Sequence, residues 1–123
     1  VLFRSWEKRV MDWADTQPSV LRWCSEEVII PYKSPVDNKY HRYFVDFFVE
    51  AKGRDGVVRK ILIEVKPKAQ TQEPQVKTRK TKRYITEVVT YGINQAKWKA
   101  AEEYCKDKGW EFLILTEEQL FKK

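Results

Sequence analysis

One histidine, one methionine, two cysteines and four glycines are all that this 123-residue chain holds of those types. With His41 alone, histidine-cluster metal centres are excluded, and a histidine-based catalytic triad is disfavoured. Cys24 and Cys105 cannot form a disulfide framework and lack zinc-finger spacing, which points to a reducing compartment. No apolar run approaches the ~20 residues of a membrane-spanning helix. The opening Val1-Leu2-Phe3-Arg4 does not read as a secretory signal, and no internal repeat is visible. What is abundant is rings and charge: aromatics make up 14% of the chain and charged residues 34%, enough of each for a packed core under a charged surface. The length predicts one domain spanning residues 1–123.

The net charge of +6 is concentrated. Residues 51–83 carry eleven Lys and Arg against three acids, and the rest of the chain is slightly acidic. The densest part is Lys77-Thr-Arg-Lys-Thr-Lys-Arg83, and a basic run of this kind suits a phosphate backbone. Lys68, Lys77, Arg79, Lys80, Lys82 and Arg83 are therefore the candidate DNA-binding residues.

Phe3, Trp6, Val10 and Trp13 recur at helical spacing and predict a first helix over residues 3–15, with Ser5 or an upstream residue as its cap. Residues 20–32 read as one bent strand or two, and Ser34-Pro-Val-Asp-Asn38 as a turn. Residues 40–50 and 57–66 read as strands joined by the hairpin turn Gly53-Arg-Asp-Gly56. Residues 67–83, rich in Pro, Gln, Lys and Arg, read as one long basic loop. Val89, Ile93, Ala96, Ala100 and Tyr104 mark a helix ending near Gly109, with Gly92 as a candidate interruption. A short strand over 110–116 and a closing helical turn follow. A helix between the hairpin and the last strand implies a crossover, hence an α/β fold with a mixed sheet flanked by helices.

Two acids break apolar strands. Asp46 interrupts Tyr43-Phe-Val-Asp-Phe-Phe-Val49, and Glu64 interrupts Ile61-Leu-Ile-Glu-Val65. Carboxylates are seldom buried without partners, because desolvation costs several kcal/mol each. A three-residue loop with Gly56 left-handed pairs Gly53 with Val57 and sets Asp46 opposite Glu64. A two-residue loop would send them to opposite faces. Adjacent carboxylates repel unless one is protonated or a cation lies between them, and a hard divalent ion suits the pair. Lys66 projects to the same side as Glu64 and can orient an attacking water or offset a phosphate's charge. Metal-assisted phosphodiester hydrolysis uses such a set. The Glu-x-Lys triplet alone says little, because acid-x-Lys also occurs at Asp37 and Glu50. The competing reading is a structural ion pair at Glu64 or Asp46.

Asp46 followed by Glu64-Val65-Lys66 resembles the PD-(D/E)xK nuclease superfamily. Ser5-Trp6-Glu7-Lys8-Arg9, Tyr43-Phe-Val-Asp46-Phe47, Glu64-Val-Lys66-Pro67 and Tyr91-Gly-Ile-Asn-Gln95-Ala-Lys-Trp98 look more narrowly like the head completion nucleases of large tailed phages. That family is related to TnsA-type transposon endonucleases, and the likeness runs from Ser5 to Leu120. Val45 stands where the superfamily motif has proline.

The resemblance implies a restriction-endonuclease-like fold and an Mg²⁺-dependent DNA endonuclease, with Mn²⁺ as a substitute ion. Asp46 and Glu64 would hold the metal and Lys66 would assist the water. Glu7 would complete or orient the metal shell, and Gln95 would orient substrate. The resemblance further implies action in the host cytoplasm during phage assembly or in the virion, with portal or head-neck proteins as partners and no membrane. The alternatives are a non-catalytic DNA-end or portal-binding protein with the same fold, and a TnsA-type transposon-end endonuclease. Tyr91 and Trp98 read as core, Tyr84 as packing, His41 as a surface residue, and both cysteines as apolar filler.

Overall fold

A computed structural model describes residues 2–121, with side chains from Ser5 onward; the side chain of Phe3 lies outside the described residues. The elements are α1 (Leu2–Thr16), β1 (Val20–Ser25), β2 (Ile29–Lys33), β3 (Tyr40–Phe44), β4 (Phe47–Lys52) and β5 (Val58–Val65). They continue with α2 (Lys68–Thr71), α3 (Lys82–Lys108), β6 (Glu111–Leu115) and α4 (Glu117–Leu120).

Four strands form a mixed sheet in the order β1-β4-β5-β6. β4 pairs antiparallel with β1 and β5, and β6 lies parallel to β5 after the α3 crossover. β2 and β3 form a separate two-stranded ribbon. Residues 20–32 thus divide into two strands that serve different sheets.

Residues 40–50, expected as one strand, are two. The chain leaves the ribbon after Phe44 and enters the main sheet at Phe47. Asp46 explains the break. Its side chain accepts from the Val65 N–H at 2.8 Å, and its carbonyl accepts from the Glu26 N–H at 3.1 Å. Local bonding of this kind competes with a regular ladder.

The hairpin has the register expected from a three-residue loop. Phe47 pairs with Ile63 and Phe48 with Leu62, while the Gly53 N–H donates to the Val57 carbonyl. Gly56 has a φ of 77°, the left-handed conformation that loop requires.

The sheet buries both faces. Phe47, Val49, Ile63 and Val65 pack with Val10 of α1. Phe48 and Leu62 pack with Trp98, Ala101 and Cys105 of α3 and with Ile30, Tyr32 and Tyr43 of the ribbon. On α3, Asn94, Trp98, Ala101 and Cys105 are spaced by four, three and four residues, so one stripe of the helix faces the sheet.

Several boundaries depart from expectation. Ser5 lies inside α1 and does not cap it. α3 begins at Lys82, capped by the Thr81 side chain accepting from the Tyr84 N–H, and runs unbroken through Gly92. The basic segment 67–83 is not one loop: it holds α2, and its last two residues form the first turn of α3. At 27 residues α3 is ~40 Å long, and residues 85–90 are exposed throughout. Ile85, Val88 and Val89 hold helical spacing there but face solvent. No helix among the described residues is long and apolar enough to cross a membrane.

Candidate active site

Glu64 sits near the end of β5, on the sheet face that α3 and the ribbon cover, and is only 4% exposed. Its Oε2 accepts from the Tyr43 hydroxyl at 2.7 Å and from the Trp98 indole N–H at 3.2 Å. Three elements therefore fix one carboxylate: β5 carries it, β3 supplies the tyrosine and α3 the tryptophan. Burial pushes the Tyr43 hydroxyl well above the usual phenol range, with Glu64 adding to the shift, so Tyr43 remains a hydrogen-bond donor.

Asp46 lies half-buried at the β3–β4 break, just past the end of the ladder that pairs Phe47 with Ile63. Burial raises its carboxyl well above the usual range. Hydrogen bonding to Glu64 and that group's charge raise it further, and the charge of Glu7 adds a smaller push. Asp46 bonds the amide of Val65, the residue after Glu64, so the two side chains are neighbours and the Asp46 carboxyl is harder to ionise. One oxygen of Asp46 is engaged by the Val65 N–H and one of Glu64 by Tyr43 and Trp98. The second oxygen of each acid takes none of these three bonds.

This donor set suits Mg²⁺. The ion binds through one or two carboxylates, keeps several waters and shares substrate phosphate oxygens. Among the described residues, no three His, Cys, Asp or Glu side chains gather into an all-protein metal cage. Asp46 and Glu64 would hold the ion, and water and phosphate would complete its shell.

The other candidate residues fall at different distances from the pair. Lys66 immediately follows β5, half-buried, with its backbone N–H on the Leu115 carbonyl. Glu7 is half-buried on α1 and acts on Asp46 through its charge. Gln95 is exposed on α3; with Trp98, Lys99, Thr71 and Ile114 it lines a cleft of about 630 Å³ beside the Trp98 that holds Glu64.

The basic candidates lie on α2 (Lys68), in the segment after it (Lys77, Arg79, Lys80) and at the start of α3 (Lys82, Arg83). Lys68 lies on α2 in an ion pair with Glu118, and its backbone N–H donates to Glu117. Lys77 and Lys80 hold their ammonium groups over the Tyr84 ring, 5.9 and 5.0 Å from its centroid. Tyr84 itself is buried, as a packing residue should be. Lys82 and Arg83 open α3, and Arg83 pairs with Glu87 at 3.4 Å. His41 is at the surface, paired with Asp37.

Sequence reasoning missed Tyr43 and Trp98 as partners of Glu64. Trp98 packs in the core as its spacing implies, and its indole N–H also serves the buried acid. A buried tryptophan must place that N–H somewhere, and this was the available signal.

A family model described as TnsA-like endonuclease N terminal matches residues 17–117. This chain belongs to the TnsA-like endonuclease family. It is also similar to the head completion nuclease of Enterobacteria phage T4, at 37% identity over 125 residues. That alignment covers 98% of this chain and 81% of the relative. No solved structure matches. Family membership accounts for the mixed sheet with flanking helices and for an endonuclease domain.

Proposed function

We propose that this chain is an Mg²⁺-dependent DNA endonuclease that acts in phage head completion after DNA packaging. The single observation that carries the reading is the meeting of Asp46 and Glu64 in apolar surroundings, with Glu64 fixed by Tyr43 and Trp98. The Tyr43 hydroxyl, the Trp98 indole and the Val65 amide orient the two carboxylates without neutralising them, which suits a pair that receives a cation. Similarity to the phage T4 head completion nuclease supports a role in head completion; the reading adds the host cytoplasm during assembly as the setting and portal or head-neck proteins as partners.

In this reading, bound Mg²⁺ supplies Lewis-acid stabilisation of the phosphate and a water of lowered pKa. The protein's part is positional. Asp46 and Glu64 set where the scissile phosphate sits, and Tyr43 and Trp98 keep Glu64 from turning away. Lys66 orients the attacking water or offsets charge on the phosphate. Glu7 adds negative charge beside Asp46, and Gln95 contacts substrate from the α3 cleft.

Plasmid nicking with Mg²⁺ or with chelator tests the reading. The parent should cleave only with the metal, and Asp46→Asn and Glu64→Gln should each lose cleavage by about 100-fold or more while still binding DNA. Cleavage that survives both substitutions overturns it. Binding without cleavage in the parent would favour a non-catalytic DNA-end protein.

A further inference from the structure

We propose that the outward face of the β2–β3 ribbon is a docking surface for single-stranded DNA adjoining the scissile phosphate. The proposal rests on the nuclease reading and names its substrate class.

The ribbon has two unlike faces. Ile30, Tyr32 and Tyr43 point inward and are buried in the core shared with α3. The outward residues stand opposite one another as Ile29 with Phe44, Pro31 with Arg42, and Lys33 with Tyr40. All six are exposed, Tyr40 by 73% and Phe44 by 43%. No acid stands among them. The one acid of the connecting turn, Asp37, is already bonded to His41 at 2.7 Å. The Arg42 guanidinium lies 5.5 Å from the centroid of the Phe44 ring, so cation and ring present a joint surface.

This pattern of rings and cations on an acid-free face is what a single strand requires. Unpaired bases stack on aromatic rings regardless of sequence, and phosphates follow the interleaved cations. A duplex keeps its base faces stacked internally, so it has no use for Tyr40 and Phe44 as platforms. The location also fits. Phe44 is two residues before Asp46, so their Cα atoms are at most ~7 Å apart, and β3 runs a further ~14 Å to Tyr40. Tyr43 carries the inward face of the ribbon to Glu64, so the outward rings lie on the other side of β3, and a strand with its phosphate at the acid pair reaches them by passing over the β3–β4 corner at Val45-Asp46.

Fluorescence anisotropy in chelator tests this without any need for cleavage. The probes are a duplex with a single-stranded tail, a blunt duplex of the same length and the free tail. The parent should prefer the tailed duplex. Tyr40→Ala/Phe44→Ala should lower affinity for it by roughly tenfold or more and leave blunt-duplex affinity unchanged. Lys33→Ala/Arg42→Ala keeps both rings and should reduce the salt slope on the free tail by about 1.4, two contacts at ~0.7 each. Equal losses on tailed and blunt duplex would mean groove insertion and overturn the proposal. So would unchanged binding in both variants, as expected of a protein-docking face. Absence of Mg²⁺-dependent nicking, by contrast, would count against the nuclease reading alone.

Discussion

Glu64 receives two hydrogen bonds on the same oxygen, so each donor can be removed separately. Tyr43→Phe deletes one hydroxyl and keeps the ring that packs against Leu62 and Trp98. Bonds to charged groups contribute about 1.5–3 kcal/mol, so Mg²⁺-dependent cleavage should fall roughly 10- to 100-fold. If Tyr43 positions the carboxylate, Mn²⁺ affinity measured by calorimetry falls as well, and raising the metal concentration recovers part of the loss. Trp98→Phe should act in the same direction and also lower stability, because the indole is a core residue.

Asp46 yields a prediction of opposite sign for stability. Its carboxyl is raised in the folded protein above its unfolded value of ~3.9. The folded state then binds more protons than the unfolded state as pH climbs from about 4 toward the raised value, so stability falls through that window. In chelator, thermal melts should show the parent losing stability as pH rises toward neutrality. Asp46→Asn removes the repulsion and should be more stable than the parent at pH 7, on the order of 1–2 kcal/mol. Mg²⁺ should stabilise the parent and leave Asp46→Asn unchanged, because only the parent keeps both carboxylates.

At the scale of elements, what could be read from the sequence was whatever had a period or a turn signature. The β4–β5 hairpin could be registered because Gly53-Arg-Asp-Gly56 admits few loop geometries and Gly56 takes the left-handed one. That register sets Asp46 and Glu64 on neighbouring positions of the two strands. The break at Asp46 was not legible, because residues 40–50 are uniformly rich in strand formers and nothing local reveals that an aspartate bonds across to the Val65 amide. The start of α3 was hidden for a different reason: Thr81 lies inside a basic run that resembles a loop, although Ile85, Val88 and Val89 carry helical spacing into the exposed half of the helix. Tyr43 and Trp98 converge on Glu64 from elements 21 and 34 residues away in sequence, which no periodicity encodes. The turn itself can be tested. Gly56→Ala places a Cβ at φ 77°, at a cost of about 1 kcal/mol, and should lower the melting midpoint by ~3–5 °C with little change in metal affinity. A large loss of metal binding would instead mean that the substitution shifts the register.

Over the whole molecule, charge and chemistry lie on neighbouring but distinct parts. The acid pair is roofed by α3 and the ribbon, while the basic residues of 68–83 spread over α2, the following loop and the exposed start of α3. Composition showed where the positive charge lies along the chain but not how much of it is already engaged. Lys68 is tied to Glu118, and Arg83 pairs with Glu87 while remaining almost fully exposed. A solvent-exposed pair of this kind is weak, so a phosphate can displace Glu87 more easily than the two acids of α4 that hold Lys68 by side chain and backbone. The cations that meet DNA should therefore be those from Lys77 to Arg83, with Lys68 serving to anchor α2 to α4. Removing Arg79, Lys80 and Lys82 together should flatten the log-log salt dependence of duplex binding by about 2.7, three contacts at ~0.9 each. Lys68→Ala should barely change that slope but should lower thermal stability. Equal slope changes per residue at Lys68 and in the 77–83 segment would mean that the ion pair with Glu118 opens on binding, and that α2 belongs to the DNA-contacting surface.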